Sequence, residues 1–139
     1  MRRKRILIAD DDEAFLEALA IRLGKEDFEV TMAQDGYQAL VQALEHPLDL
    51  IILDINMPCG DGLSVQERLR KLARVSVPII YVTGEKSDRV HLLSHQSGAF
   101  AVLYKPLDTA KFMRTVKAAL STGRRRRPLP GEPTLNQSS

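Results

Sequence analysis

Leu50-Ile51-Ile52-Leu53-Asp54-Ile55-Asn56-Met57-Pro58 is the stretch that decides the fold. Four apolar residues run straight into one aspartate, and Pro58, Gly60 and Gly62 then interrupt any regular element. An apolar run this short, bounded by turn residues, reads as a strand covered on both faces. A carboxylate there is costly unless it stands at the end of the strand, in a cleft, near a cation. The stretch therefore places Asp54 at the carboxyl end of a central parallel strand, where open α/β sheets build their sites.

The flanking sequence alternates in the same way. Ile6–Ala9 is a second short apolar run, closed by Asp10-Asp11-Asp12. Phe15, Leu16, Leu19 and Leu23 then recur at helical spacing, with Gly24 at the expected C-cap. Phe28–Met32 alternates like a less buried strand, and Asp35-Gly36 turns the chain. Tyr37, Leu40, Val41 and Leu44 predict a second helix, stopped by Pro47. Leu63, Leu69 and Leu72 predict a third, whose Arg68, Arg70, Lys71 and Arg74 read as a solvated face. Val77–Thr83 is the fourth strand, with Pro78 near its start and Gly84 breaking it. Val90, Leu92 and Leu93 support a weaker fourth helix ending at Gly98. Ala99–Tyr104 is the fifth strand, closed by Lys105-Pro106. Asp108 is placed to cap a last helix bearing Phe112, Val116 and Leu120. Strands that alternate with helices through short links imply a parallel sheet covered on both faces. Right-handed crossovers limit the topology, and the expected fold is an α/β, flavodoxin-like, doubly wound sheet of five strands in order 2-1-3-4-5, with five helices.

Composition bounds the function. The chain has 139 residues, 44% of them hydrophobic, which suits one domain with a real core. The net charge of +2 hides an asymmetry. Residues 1–122 hold 16 Lys and Arg against 17 Asp and Glu, whereas residues 123–139 hold four Arg and one Glu. The body is therefore no general nucleic-acid binder. Residues 1–122 form the expected domain, and 123–139, with Arg124–Arg127, Pro128, Pro130 and Pro133, read as a disordered tail or linker. The single cysteine, Cys59, excludes an intramolecular disulfide and fits a reducing, cytoplasmic setting. No apolar run approaches a membrane span, and the basic start before Ile6 is followed too soon by aspartates to be a secretion signal.

In such a fold the ends of strands one, three, four and five lie side by side. They deliver Asp10 and Asp11, then Asp54, then Thr83, then Lys105. Three carboxylates in one cleft oppose each other's ionisation, and a divalent cation removes the conflict. Ligands made only of oxygen favour Mg²⁺, or Mn²⁺, over zinc. Lys105 offers a compact positive charge and Thr83 a hydroxyl, suited to the oxygens of a group in transfer. Asp54 between them is suited to act as a nucleophile forming an acyl phosphate.

These motifs resemble the receiver domains of response regulators, the phospho-accepting partners in two-component signalling. The resemblance spans about Lys4 to Leu120. It rests on Ile6-Leu7-Ile8-Ala9-Asp10-Asp11-Asp12, Leu53-Asp54-Ile55-Asn56-Met57-Pro58 with Gly62, Val82-Thr83-Gly84, and Lys105-Pro106. It implies that Asp54 accepts a phosphoryl group from a histidine kinase or phosphotransfer protein and slowly hydrolyses it, without metabolic turnover. It implies Mg²⁺ held by Asp11, Asp54 and the Asn56 backbone carbonyl, with Asp10 acting through water. Thr83 would hydrogen-bond the phosphoryl group and Lys105 would pair with it; the Lys105–Pro106 bond is often cis in the family, and small Gly84 leaves the phosphoryl group approachable. A downstream protein or a second copy would read the face of helix four, strand five and helix five. The chain departs from the family at Val102, three residues before Lys105, where an aromatic switch residue usually stands. Three alternatives remain: an aspartyl-nucleophile phosphatase, a receiver-like scaffold without phosphorylation, and, weakest, a flavodoxin. An output domain, including one that binds nucleic acid, is not visible in these residues.

Overall fold

The computed structural model describes residues 3–57, 62–72, 76–84 and 87–123. Ten elements alternate: β1 (Arg5–Ala9), α1 (Glu13–Gly24), β2 (Glu29–Ala33), α2 (Gly36–Glu45), β3 (Leu50–Asp54), α3 (Gly62–Leu72), β4 (Ile79–Thr83), α4 (Asp88–Ser97), β5 (Ala101–Tyr104) and α5 (Thr109–Gly123). The five strands form one sheet in order β2-β1-β3-β4-β5, and every pairing is parallel. This is the expected flavodoxin-like order. Every residue of β3 and of β4 is buried, which is why both read as unbroken apolar runs.

Strand alternation divides the core in two. Leu7, Ile51, Leu53, Ile79 and Tyr81 face α2, α3 and α4, where they meet Ala39, Ala43, Val65, Leu69 and Val90. Ile6, Ile8, Leu50, Ile52, Ile80 and Val82 face α1 and α5, where they meet Leu16, Leu19, Leu23, Phe112, Val116 and Leu120. Burying each such side chain contributes about 1.5–3 kcal/mol, enough to fix the strand register.

Local chemistry differs from the sequence expectations in a few places. On α2 the buried residues are Gly36, Ala39 and Ala43, with Leu40 packed beside them, while Tyr37 and Leu44 are exposed. Small residues face inward because α2 sits close against both β1 and α3. Asp35 caps α2, its Oδ1 accepting from Gln38 N at 2.8 Å. Gly24 is the last helical residue of α1, followed by Lys25 in a right-handed conformation; the chain reverses instead at Asp27, whose φ is 64°. Gly98, with φ 77°, closes α4 as expected. Leu92 on α4 is exposed. β5 begins at Ala101 instead of Ala99. The turn around Pro58, Cys59 and Gly60 and the tail from Arg124 onward lie outside the described residues. Among the described residues no helix is long and apolar enough to cross a membrane.

Candidate functional site

The strand order reverses between β1 and β3, so the chain leaves these two strands toward opposite faces and opens a crevice at their carboxyl ends. Asp10 follows the end of β1 and is 1% exposed, and Asp54 ends β3 at 7%. Thr83 ends β4, fully buried, and Lys105 follows β5 with its side chain about one quarter exposed. The carboxylate oxygens of Asp10, Asp11 and Asp54 lie within 4.8 Å of one another.

The three consecutive aspartates have three different settings. Asp10 points inward, and its Oδ1 accepts from the backbone of Asp12 at 2.9 Å. Asp11 is exposed at the cleft mouth. Asp12 caps α1, its Oδ1 accepting from Phe15 N at 3.1 Å. A backbone bond from Asp10 N to Ala33 O at 3.1 Å continues the β1–β2 ladder past the last strand residue and steadies the turn. On β3 the Asp54 Oδ1 accepts from Asn56 N at 3.0 Å. On β5 the backbone of Lys105 donates to Thr83 O at 2.9 Å, and the Lys105–Pro106 peptide is cis. Lys105 Nζ stands 2.7 Å from Asp10 Oδ2 and 3.8 Å from Asp54 Oδ2. Among the described residues, a Cβ on Gly84 would meet no atom within 4 Å, so their packing does not require its small size.

Burial pushes the Asp54 carboxyl up from 3.8 to about 6; the Asn56 amide opposes this, the charges of Asp10 and Asp11 add to it, and Lys105 offsets part. Burial opposes the Lys105 charge too, yet the bond to Asp10 and the charges of Asp10, Asp54 and Asp12 outweigh it and hold the ammonium above its ordinary range. Asp10 Oδ2 is fully buried and, among the described residues, has no hydrogen-bonding partner beyond the 2.7 Å ion pair with Lys105. Buried carboxylate oxygens with spare lone pairs, three acids on one crevice and no nitrogen or sulfur donor among them suit a hard divalent cation. The residues present fit Mg²⁺.

The structure thus brings Asp10, Asp11, Asp54 and Lys105 together, with Thr83 at the adjoining strand end. Val102 packs into the cluster on the α2–α4 side, opposite Tyr81 in the strand register. Phe100 is exposed, and Tyr104 pairs in register with Thr83. Two features had no signal in sequence spacing. Tyr81, fully buried, donates its hydroxyl to Gln66 Oε1 on α3. Phe15, which the helical pattern marks only as apolar, lies under Lys105, with Nζ 4.2 Å from the ring centroid.

Comparison with known proteins agrees with this geometry. The family described as response regulator receiver domain matches residues 6–117. Transcriptional regulatory protein PrrA of Mycobacterium tuberculosis is 39% identical over 116 residues, covering 84% of this chain and 49% of PrrA. Sensory transduction protein RegX3 of Mycolicibacterium smegmatis is 34% identical over 118 residues, covering 85% of this chain and 51% of RegX3. The chain spans about half the length of these curated relatives. Among solved structures, a CheY-like receiver domain protein from Methanospirillum hungatei JF-1 superposes with a TM-score of 0.83 at 31% identity, covering 89% of this chain and 98% of that one. Chemotaxis protein CheY4 of Vibrio cholerae gives 0.76 at 27% identity, covering 85% and 99%. With the fold, the acidic crevice and the family match in agreement, the chain belongs to the response regulator receiver domains of two-component signal transduction.

Proposed function

We propose that residues 1–122 act as a phosphorylation-driven switch in which Asp54 accepts a phosphoryl group from a histidine kinase or a phosphotransfer protein. The observation that carries this reading is the setting of Asp54: a buried strand-end carboxylate, with two further acids within 4.8 Å and an ammonium at 3.8 Å. An Asp54 carboxylate oxygen attacks phosphorus as the donor's P–N bond breaks, and the imidazole leaves with that electron pair. The product is a mixed anhydride whose phosphoryl oxygens need neutralising. Lys105 keeps its proton and turns from Asp10 toward those oxygens, and the Thr83 hydroxyl donates to another. Asp11, Asp54 and the Asn56 carbonyl would hold Mg²⁺, with Asp10 reaching it through water; when bound it would supply charge neutralisation for the acids and the phosphoryl group. Receiver domains are generally not catalytic enzymes, and slow hydrolysis of the anhydride returns this one to rest.

The new charge biases a surface that a partner reads, by no more than its differential contacts in the two states. We assign that surface to α4, β5 and α5, where exposed Leu92 and Phe100 offer apolar contact to a downstream protein or a second copy. A cytoplasmic location suits this role. Asp54 on β3, instead of the first strand, and the family match disfavour the phosphatase reading. The test is intact mass after incubation with Mg²⁺ and acetyl phosphate, beside Asp54→Ala. One phosphoryl addition that requires Mg²⁺ and vanishes in the variant supports the reading. No adduct, together with no binding of beryllofluoride, overturns it in favour of a scaffold without phosphorylation.

A further inference from the structure

Lys105 has a third partner besides its two carboxylates. Its Nζ lies 4.2 Å from the centroid of the Phe15 ring, 2.7 Å from Asp10 Oδ2 and 3.8 Å from Asp54 Oδ2. We propose that Phe15 is a positioning residue, whose ring face holds the Lys105 ammonium beside Asp54 so that it meets the phosphoryl group as it arrives. The proposal rests on the reading of Asp54 as the acceptor.

A lysine ammonium is a point charge on a flexible four-carbon stem, and the end of β5 fixes only its root. Asp10 supplies one strong contact, and about a single contact the ammonium is free to turn. A carboxylate alone would also compete with the incoming phosphoryl oxygens for the same N–H groups. An aromatic face attracts the cation through its quadrupole, covers one side of it against water, and takes up no hydrogen-bond acceptor geometry. Such a partner steadies the ammonium and still lets it donate.

The ring is itself well fixed. Phe15 is half-buried against the cluster between the sheet and α1 and α5. Its backbone amide is bound by Asp12 Oδ1 at 3.1 Å, and the next amide, of Leu16, donates to Asp12 O at 3.0 Å. The N-cap of α1 thus sets where the ring stands, and the ring sets where the ammonium stands. In the transfer itself an Asp54 oxygen forms the new O–P bond and the donor's bond to phosphorus breaks, with acetate as leaving group when acetyl phosphate is used. Lys105 gives up no proton and supplies only a placed hydrogen bond.

The experiment measures phosphorylation rate with acetyl phosphate at saturating Mg²⁺ for the wild type, Phe15→Leu, Phe15→Tyr, Lys105→Met and Phe15→Leu with Lys105→Met. Phe15→Leu keeps apolar bulk and loses the π face, and its maximal rate should fall roughly 3- to 10-fold. Phe15→Tyr should stay within about two-fold of wild type because it keeps the face. In the Lys105→Met background, Phe15→Leu should have no further effect. A wild-type rate for Phe15→Leu, an equal loss for Phe15→Tyr, or an equal loss in the Lys105→Met background would each overturn the proposal. NMR of the unphosphorylated protein gives a second readout. The Lys105 ε-methylene protons should be ring-current shifted upfield in the wild type and in Phe15→Tyr, and unshifted in Phe15→Leu. No upfield shift in a wild type that does accept phosphate overturns the positioning role alone. A wild type that takes no phosphoryl group and binds no beryllofluoride overturns the acceptor reading, and the positioning role with it, whatever the shift.

Discussion

Replacing Asp54 by Asn is expected to stabilise the metal-free domain at neutral pH and to change little near about pH 4. The wild-type carboxyl is pushed from 3.8 up to about 6 in the fold, chiefly by burial. The folded state therefore holds this proton more tightly than the unfolded chain does. Its favourable contribution is complete below about pH 4, declines as pH rises through about 6, and is gone above that. At about 1.4 kcal/mol for each tenfold change in proton affinity, the limit is roughly 3 kcal/mol. Water at the cleft mouth, beside exposed Asp11 and partly exposed Lys105, screens part of this, leaving about 1–2 kcal/mol. Asn keeps an oxygen for the Asn56 amide, and Lys105 keeps its 2.7 Å partner Asp10. Urea unfolding of both proteins in chelator, from about pH 4 to 8, should show the variant's advantage growing through pH 6 and then levelling. Millimolar Mg²⁺ should then stabilise the wild type at neutral pH and the variant much less, since a ligand of the folded state acts by mass action. An Asn variant less stable than wild type at neutral pH in chelator, or a difference flat with pH, would refute the assignment of a burial-strained carboxylate at this position.

Lys105→Met should destabilise the metal-free protein by about 1–3 kcal/mol in urea unfolding, because Asp10, 1% exposed, loses its ion-pair partner. The same substitution in an Asp10→Asn background should have much less effect. Asp12→Ala removes the cap of α1 and should lower stability by about 1 kcal/mol on the same assay. Tyr81→Phe removes a buried hydroxyl bonded to Gln66 and should lower stability by about 1–2 kcal/mol while phosphoryl acceptance by intact mass is kept.

The parts of the fold that were plain in sequence are those whose environment is uniform. β3 and β4 are buried on both faces, so their chemistry is continuous and their ends are marked by polar residues. The site residues were visible for the same reason, since each ends or follows a strand. Helix faces were less plain. On α2 the large residues Tyr37 and Leu44 drew the apolar stripe away from Ala39 and Ala43, which the close neighbours β1 and α3 select for their small size. Gly24 resembled a helix terminator by type, yet the left-handed residue is Asp27, where tertiary closure onto β2 overrides residue preference. Pairings across the fold, such as Phe15 with Lys105 and Tyr81 with Gln66, carry no spacing at all; they exist only once β4 and β5 lie beside their neighbours.

The division of the core in two has a consequence for the order in which the chain is made. Among the described residues, the side covered by α2, α3 and α4 has all its partners once synthesis has passed Ala99 and Val102. The opposite side waits, because Ile6, Ile8, Leu50 and Ile52 share their cover between α1 and the last helix, through Phe112, Val116 and Leu120. A nascent chain stopped before α5 carries one finished face and one apolar face half open to water. That intermediate is the species most prone to aggregate or to engage a chaperone, and release of Leu120 from the ribosome is the event that ends its exposure.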